Sequence, residues 1–344
     1  MRPAANQPAR CDGCSEMKAA KRAQQKSNNA ISGESMNRGR FWQKWMQLLP
    51  VVVLLSAVAP VCAQTAQSDS EQFQARIDAA ALALRDQSRF KGLSTKYRRE
   101  LAEFVAGNML FVLLHEMGHA AMTQMRLPVL GRAEDAADSF AVLRLMKVGS
   151  EFTDRVLAEA ARGWFLADLR DQKTGDTISY YDEHGLNQQR AYQIVCLMVG
   201  SDKGKFRDIA DETKLPGPRR DRCANDYDNA SYSWNLVLKP HVRASDQPKT
   251  QIDVVYGEPK PRDEVAARAF RFVQLLETVA RYEAESFAWP NSFTLEMQSC
   301  GADNAHWDNA ARRLTLCYDL AVDFSELYRI YGGAPANSRR RKSN

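Results

Sequence analysis

Apolar residues recur at spacings of three and four along most of the chain between residues 71 and 282, which predicts a series of helices. The predicted helices cover residues 71–87, 94–125, 134–148, 151–171, 186–199, 221–238 and 262–282. Strand signals are weaker: residues 251–256 alternate, and residues 292–298 and 312–317 predict a hairpin across the turn at Asp308 and Asn309. The pattern therefore predicts a mainly α fold with a small β element.

The predicted helix over residues 94–125 contains the sequence His-Glu-Met-Gly-His at residues 115–119. Because residues four apart share a helix face, His115 and His119 could bind one metal ion, with Glu116 beside them facing a water. This combination is typical of zinc hydrolases. The apolar run before it predicts a buried helix, in which unpaired imidazoles would cost free energy. Gly118 weakens a helix by about 1 kcal/mol relative to Ala, which a close backbone or substrate approach would explain. A helix with two packed or solvated histidines is the alternative.

A zinc hydrolase needs a third protein ligand, and the helix predicted after the turn at Pro128 and Gly131 offers two carboxylates. Glu134 and Asp138 are four residues apart and share a face. We expect Glu134 to be the third ligand and Asp138 to orient a ligand histidine through its other ring nitrogen. Two alternatives stay open: Asp138 could itself be the ligand, or the acidic turn could only complement the helix dipole.

Taken together, these motifs resemble a known class of enzymes. Residues 111–146 are similar to the gluzincin-type metallopeptidases, in which a two-histidine helix is followed by a Glu-x-x-x-Asp helix. From about residue 70 to residue 332, the chain also resembles a bacterial family of unknown function whose members are classed as metallopeptidases. The resemblance implies a zincin-like helix pair with a zinc site, but no substrate. The segments that carry the second resemblance are 111–119, 127–138, 181–186, 194–197 and 300–318.

Two further segments could contribute to catalysis. His184 lies in a polar loop and is the first candidate donor to the oxyanion of a tetrahedral intermediate, with Tyr181 as the second candidate; a helix cap in a satisfied polar loop is the alternative. The segment from Asn304 to Trp307 resembles the strand edge that binds substrate backbone in thermolysin-like enzymes, although His306 replaces the usual aromatic residue. Such an edge could bind an extended peptide, and a hairpin that only packs on the core is the alternative.

The front of the chain resembles a polar leader followed by an export signal. Residues 1–35 are too polar to form a core, so we expect a disordered leader, with translation starting at Met36. A basic start, an apolar run over residues 45–61 and small residues near Ala63 predict a signal peptide over 36–63. We therefore expect a periplasmic or secreted protein. An uncleaved membrane anchor is the alternative, and only then would the protein contact a membrane.

Four cysteines follow the predicted signal, and an even number in an exported protein predicts two disulfides. Of the three possible pairings, we favour Cys196 with Cys223 and Cys300 with Cys317, because each closes a local loop. Four buried free thiols are the alternative.

The net charge of +5 adds little, because much of it lies in the leader and in a basic tail over residues 333–344 that we expect to be disordered. The sequence has no basic segment with interleaved aromatic residues of the kind that nucleic-acid binding needs. We therefore predict an exported metallopeptidase domain over residues 70–332, with Zn²⁺ as the cofactor and a peptide or protein as the substrate. A non-catalytic zinc-binding scaffold of the envelope and an amidase acting on cell-wall amides are the alternatives.

Overall fold

The structure is a computed structural model that describes residues 60–87, 90–176 and 179–332. The predicted leader, most of the predicted signal segment and the basic tail lie outside these residues. The first described helix begins at Pro60, so the predicted cleavage point after Ala63 lies in its first turn.

Helices make up most of the described chain, and a single small sheet accompanies them, which confirms the predicted fold class. Short 3-10 segments cover Leu84–Asp86 and Lys239–His241. The α-helices are α1 (Pro60–Ala83), α2 (Thr95–Gln124), α3 (Ala133–Val148), α4 (Glu151–Thr174), α5 (Asn187–Ser201), α6 (Arg207–Glu212), α7 (Gly217–Arg220), α8 (Cys223–Leu238), α9 (Glu264–Val273), α10 (Leu275–Ser286) and α11 (Tyr318–Tyr331).

Local signals set several helix boundaries. The Ser94 hydroxyl accepts a hydrogen bond from the Tyr97 amide at 3.1 Å and caps the start of α2. Gly149 ends α3 in the left-handed conformation with φ of +67°. The single helix predicted over residues 262–282 is wrong, because Gln274 adopts φ of +57° and separates α9 from α10. A break at Gln, which has no special preference for positive φ, cannot be recognised from composition.

The central helix of the fold is α2, which packs against α1, α3, α4 and α11. It is long and apolar enough to cross a membrane, but 78% of its most apolar window is buried inside the protein. Its apolar character is therefore that of a core helix. The side-chain amide nitrogen of the buried Asn108 on this helix donates to the carbonyl oxygens of Phe104 and Glu159, and the second of these hydrogen bonds joins α2 to α4.

A glycine sets the distance between α2 and α3. A Cβ atom at Gly118 would lie 3.1 Å from the Ala137 Cα and 3.3 Å from the Phe140 Cβ. These separations are shorter than ordinary van der Waals contacts, so the helices approach this closely only because residue 118 has no side chain. The close backbone approach that the sequence analysis inferred from Gly118 is therefore present, and its partner is α3.

The opposite end of α3 is held by a buried ion pair. The Arg144 guanidinium lies 2.9 Å from the Glu283 carboxylate, and its Nη2 donates to the Ser286 hydroxyl at 2.7 Å. Both charged side chains are almost fully buried, and the guanidinium also stacks 4.2 Å from the centre of the Tyr282 ring. Removing one partner of such a pair would leave an uncompensated buried charge. Helix α3 is thus fixed to α2 near its start and to α10 near its end.

The sheet contains four strands in the order β1-β2-β4-β3: β1 (Ile252–Tyr256), β2 (Phe293–Gln298), β3 (Ala305–Asp308) and β4 (Arg313–Cys317). The predicted hairpin of residues 292–298 with 312–317 is wrong, because β2 and β4 pair in parallel. The Asp308 carboxylate caps a tight turn by accepting the amides of Ala310 and Ala311, so β4 pairs antiparallel with β3. Because one side of β4 is occupied by β3, β2 pairs with the other side of β4. Strand β3 therefore lies at the edge of the sheet.

Both disulfides that the sequence favours are present. Cys196 on α5 is bonded to Cys223 at the start of α8, with a sequence separation of 27. Cys300, in the loop after β2, is bonded to Cys317 at the end of β4, with a separation of 17. The second bond closes the loop that leads into β3.

Replacing Gly118 with Ala should destabilise the fold by about 1–3 kcal/mol, although Ala is intrinsically the better helix former. The added Cβ would meet the backbone of α3 at Ala137, which can move only if the whole helix moves. Denaturant unfolding measures the change. Gly107→Ala, on the same helix, is the matched control because its Cβ would meet no atom closer than 3.5 Å. Equal stability of the two variants would contradict the assigned role of Gly118.

Candidate metal centre

Helices α2 and α3 bring three potential metal ligands together. The Glu134 Oε2 atom lies 3.0 Å from the His115 Nε2 and 3.3 Å from the His119 Nε2. The two imidazole nitrogens are 3.2 Å apart, and one ligand atom from each of the three residues lies within 4.8 Å of the others. Two neutral imidazoles and a carboxylate directed at one point fit the donor set of a catalytic zinc site. The sequence predicted this same triad.

The carboxylate of Asp138 contacts the opposite side of the His115 ring. Its Oδ1 atom lies 2.7 Å from the His115 Nδ1, whereas the Nε2 of the same ring faces Glu134. A carboxylate in this position fixes the ring orientation and places the proton on Nδ1, which leaves Nε2 free to bind a metal. Of the two carboxylates, Glu134 lies where the Nε2 atoms of both histidines meet, and Asp138 lies on the Nδ1 side of the His115 ring.

Arg190, which no sequence pattern predicted, completes this arrangement. Arg190 on α5 donates from Nε and Nη2 to the two oxygens of Asp138, both at 2.8 Å. Its guanidinium lies 3.7 Å from the centre of the Trp164 ring on α4, a cation–π contact. Burial opposes the charge on Asp138, but Arg190 and His115 outweigh it and lower the pKa of Asp138 to about 2. Arg190 lies 52 residues after Asp138, so no local pattern could pair them.

The negative charge of this cluster favours a cation. Burial disfavours a charged His115, but hydrogen bonds with Asp138 and Glu134 outweigh it and raise the pKa of His115 to about 9. Burial also opposes the charge on Glu134, yet three histidines hold its pKa far below the usual range. Without a metal, a proton on His115 therefore provides the positive charge that the two carboxylates stabilise.

Glu116 differs from the other acidic residues of the cluster. The residue is only 7% exposed, yet within the described chain its side chain forms no hydrogen bond or ion pair. It lines a cleft of about 210 Å³ together with His115 and His184. A carboxylate that is engaged by no protein group and that borders a cleft is able to accept a proton from a bound molecule.

The loop before α5 places His184 next to the triad. Its Nε2 lies 3.0 Å from the Glu134 Oε2, and its Nδ1 lies 3.1 Å from the Asp182 Oδ1. The hydrogen bond with Glu134 raises the pKa of His184. Tyr181, the second candidate donor, is 94% exposed, and the residue that holds the His184 ring is Asp182.

The edge strand β3 lies along α2. Asn304 and Ala305, at its start, line the cleft with Glu116. The Trp307 Nε1 donates to the Thr123 hydroxyl at 2.8 Å, one helical turn beyond His119. His306 lies between Ala305 and Trp307 and is exposed, because successive side chains of a strand point to opposite faces. The strand therefore follows the part of α2 that carries both histidines.

A model of the DUF4344 family, whose description reads "Putative metallopeptidase", matches residues 21–238 and 256–341. The chain belongs to this family. Searches of curated proteins and of solved structures return no match. The matched ranges of the DUF4344 model include the triad, Glu116, Asp138, His184 and the strand β3. The description agrees with a metal site that has a neighbouring base, and it names neither the metal nor the substrate.

Metal binding to this DUF4344 protein should release protons, because a metal ligand must be a neutral imidazole. Since the pKa of His115 is about 9 in the metal-free protein, the apparent affinity for Zn²⁺ should rise with pH until about pH 9. Calorimetric titration in two buffers with different ionisation enthalpies measures the released protons. The same affinity at about pH 6 and about pH 8 would contradict this prediction.

Replacing Asp138 with Asn should weaken Zn²⁺ binding about 10- to 100-fold, because the His115 ring would lose the charged partner that orients it. Competition with a chelating dye measures the affinity. Asp135→Asn is the matched control, since Asp135 lies in the same helical turn but pairs with Arg132 on the outer side. If both variants bound Zn²⁺ equally well, Asp138 would have no role in the site.

Proposed function

We propose that this protein is an exported zinc-dependent metallopeptidase in which His115, His119 and Glu134 hold Zn²⁺. The observation that carries the proposal is the convergence of these three ligand atoms beside a cleft bordered by Glu116, whose carboxylate has no partner among the described residues. When bound, the ion would supply Lewis acidity, which acidifies water and polarises a carbonyl group.

Glu116 is the proposed general base. It lies one residue from His115 on the same helix and has no competing protein partner within the described chain. It would accept a proton from the attacking water and pass it to the nitrogen of the leaving amine. The free carboxylate favours hydrolysis over a purely structural zinc site, because a structural site needs no base.

His184 is the proposed donor to the oxyanion of the tetrahedral intermediate. It lines the cleft, and Asp182 holds its Nδ1, so its Nε2 is directed toward the triad. A hydrogen bond from this nitrogen would stabilise the negative charge that develops on the substrate oxygen. The same nitrogen contacts Glu134, so donation to the oxyanion would replace that hydrogen bond.

The edge strand β3 is the proposed binding site for the substrate backbone. One side of β3 pairs with β4, and the sheet ends at the other side. An extended peptide could form main-chain hydrogen bonds with that edge and so lie over the helix that carries His115 and His119. The hydrogen bond from Trp307 to Thr123 would keep the strand at a fixed distance from the helix.

The two disulfides suggest an oxidising, extracellular environment. Export through the predicted signal segment over residues 36–63 would deliver the chain to the periplasm or the medium. Peptides and cell-wall amides are both possible substrates for the same residues, so the activity assay should include both.

Glu116→Gln should keep one Zn²⁺ per chain and reduce kcat for peptide hydrolysis by about 10²- to 10⁴-fold, because the variant lacks the base but keeps the ligands. Metal analysis of the purified protein and a peptide-library cleavage assay measure the two effects. Glu134→Gln is the contrasting variant and should lose the metal together with the activity. A Glu116→Gln protein that cleaves peptides at the original rate would refute the assignment.

A further inference from the structure

We infer that the cleft selects substrates with a basic side chain and that Asp303 is the residue that selects them. This inference rests on the proposed function and specifies its substrate class. It follows from the charges that line the cleft, which belong to Glu116, Arg170, Arg190, Asp303 and Asp323, in addition to His115 and His184.

Both arginines of the cleft are already engaged by carboxylates. The Arg170 Nη1 donates to the two oxygens of Asp323 at 2.8 and 2.9 Å, and its Nε lies 3.7 Å from Asp171. Arg190 donates hydrogen bonds to both oxygens of Asp138. An acidic substrate side chain would therefore have to displace an existing ion pair before it could reach either arginine.

The remaining anionic groups are not neutralised in this way. Among the described residues, the side chains of Asp303 and Glu116 form no hydrogen bond or ion pair, although Arg170 attracts Asp303 from beyond ion-pair distance. Glu116 is already assigned to proton transfer, so Asp303 is the carboxylate available to bind the substrate. The Asp303 carboxylate would attract a basic substrate side chain and repel an acidic one.

The loop that carries Asp303 has a well-defined conformation. The Asp319 carboxylate accepts hydrogen bonds from the amides of Cys300 and Gly301 at 2.8 and 3.2 Å. The disulfide from Cys300 to Cys317 closes the same loop, and the Cys317 amide donates to the Asn304 carbonyl at 3.0 Å. Asp303 is thus presented by a fixed backbone, as specificity requires.

The position of Asp303 relates it to the proposed path of the peptide. It directly precedes Asn304 and lies two residues before Ala305, the first residue of β3, and all three line the cleft. A peptide paired with β3 would therefore bring a side chain near its end within reach of Asp303. The long stems of Lys and Arg would let their charged groups reach a carboxylate at the rim of the cleft.

The experiment compares short peptides in which Lys, Gln or Glu is placed at each position in turn within an otherwise uncharged sequence. The zinc-loaded protein should cleave the Lys peptide about fivefold faster than the Gln peptide, by kcat/KM, at one position, because an exposed ion pair contributes modestly. The Glu peptide should be the slowest. Added salt should reduce the preference, since it screens exposed charges.

Asp303→Asn should remove this preference, so that the Lys and Gln peptides are cleaved with equal kcat/KM, and Asp303→Lys should reverse it in favour of Glu. Asp253→Asn is the matched control, because Asp253 is an exposed carboxylate on β1, the opposite edge of the sheet. Cleavage with no charge preference, or a preference that survives Asp303→Asn, would overturn the inference while the proposed function stands.

Binding of the same peptides, followed by fluorescence anisotropy, separates this inference from the proposed function. If no peptide is cleaved, the proposed peptidase activity fails. Tighter binding of the Lys peptide that is lost in Asp303→Asn would still support the assignment of Asp303. Equal binding of the Lys, Gln and Glu peptides would overturn it.

Discussion

The contact between α2 and α3 at Gly118 is the constraint on which the candidate metal centre depends. The two histidines come from α2 and the carboxylate from α3, so the spacing of the ligand atoms follows the spacing of the helices. Because residue 118 has no side chain, the helices approach until Ala137 touches the backbone at that point. The buried pair of Arg144 and Glu283 then holds the far end of α3, so the helix cannot pivot about this contact without separating two buried charges.

Around this contact, the supporting groups form a continuous series. The Trp164 ring supports the Arg190 guanidinium, Arg190 holds both oxygens of Asp138, and Asp138 orients the His115 ring. Each member satisfies the charge or the hydrogen-bonding capacity of the next, which is what buried polar groups require. The series also connects α4 and α5 to α2, which carries both histidines. Helices α3, α4 and α5 therefore together determine the direction of the His115 Nε2.

Much of this arrangement could be predicted from local sequence. The spacing of His115 and His119, the turn that precedes Glu134 and the four-residue step to Asp138 are short-range patterns, and helix geometry converts them directly into positions. The two disulfide pairings were predictable for a different reason, because each closes a local loop, with sequence separations of 27 and 17. Arg190 and Trp164 were not, because their partners are distant along the chain. The parallel pairing of β2 with β4 also depends on a third strand whose four residues gave too weak a signal.

The length of β3 limits what the protein could act on. Four residues of strand span roughly 13 Å, so only a correspondingly short stretch of another chain could align with it. That stretch would need unoccupied amide and carbonyl groups, which helices and interior strands do not have. Flexible termini, long loops and denatured segments meet this condition, whereas compact domains resist it. An enzyme that uses such an edge would therefore respond to the conformational state of its target as much as to its residues.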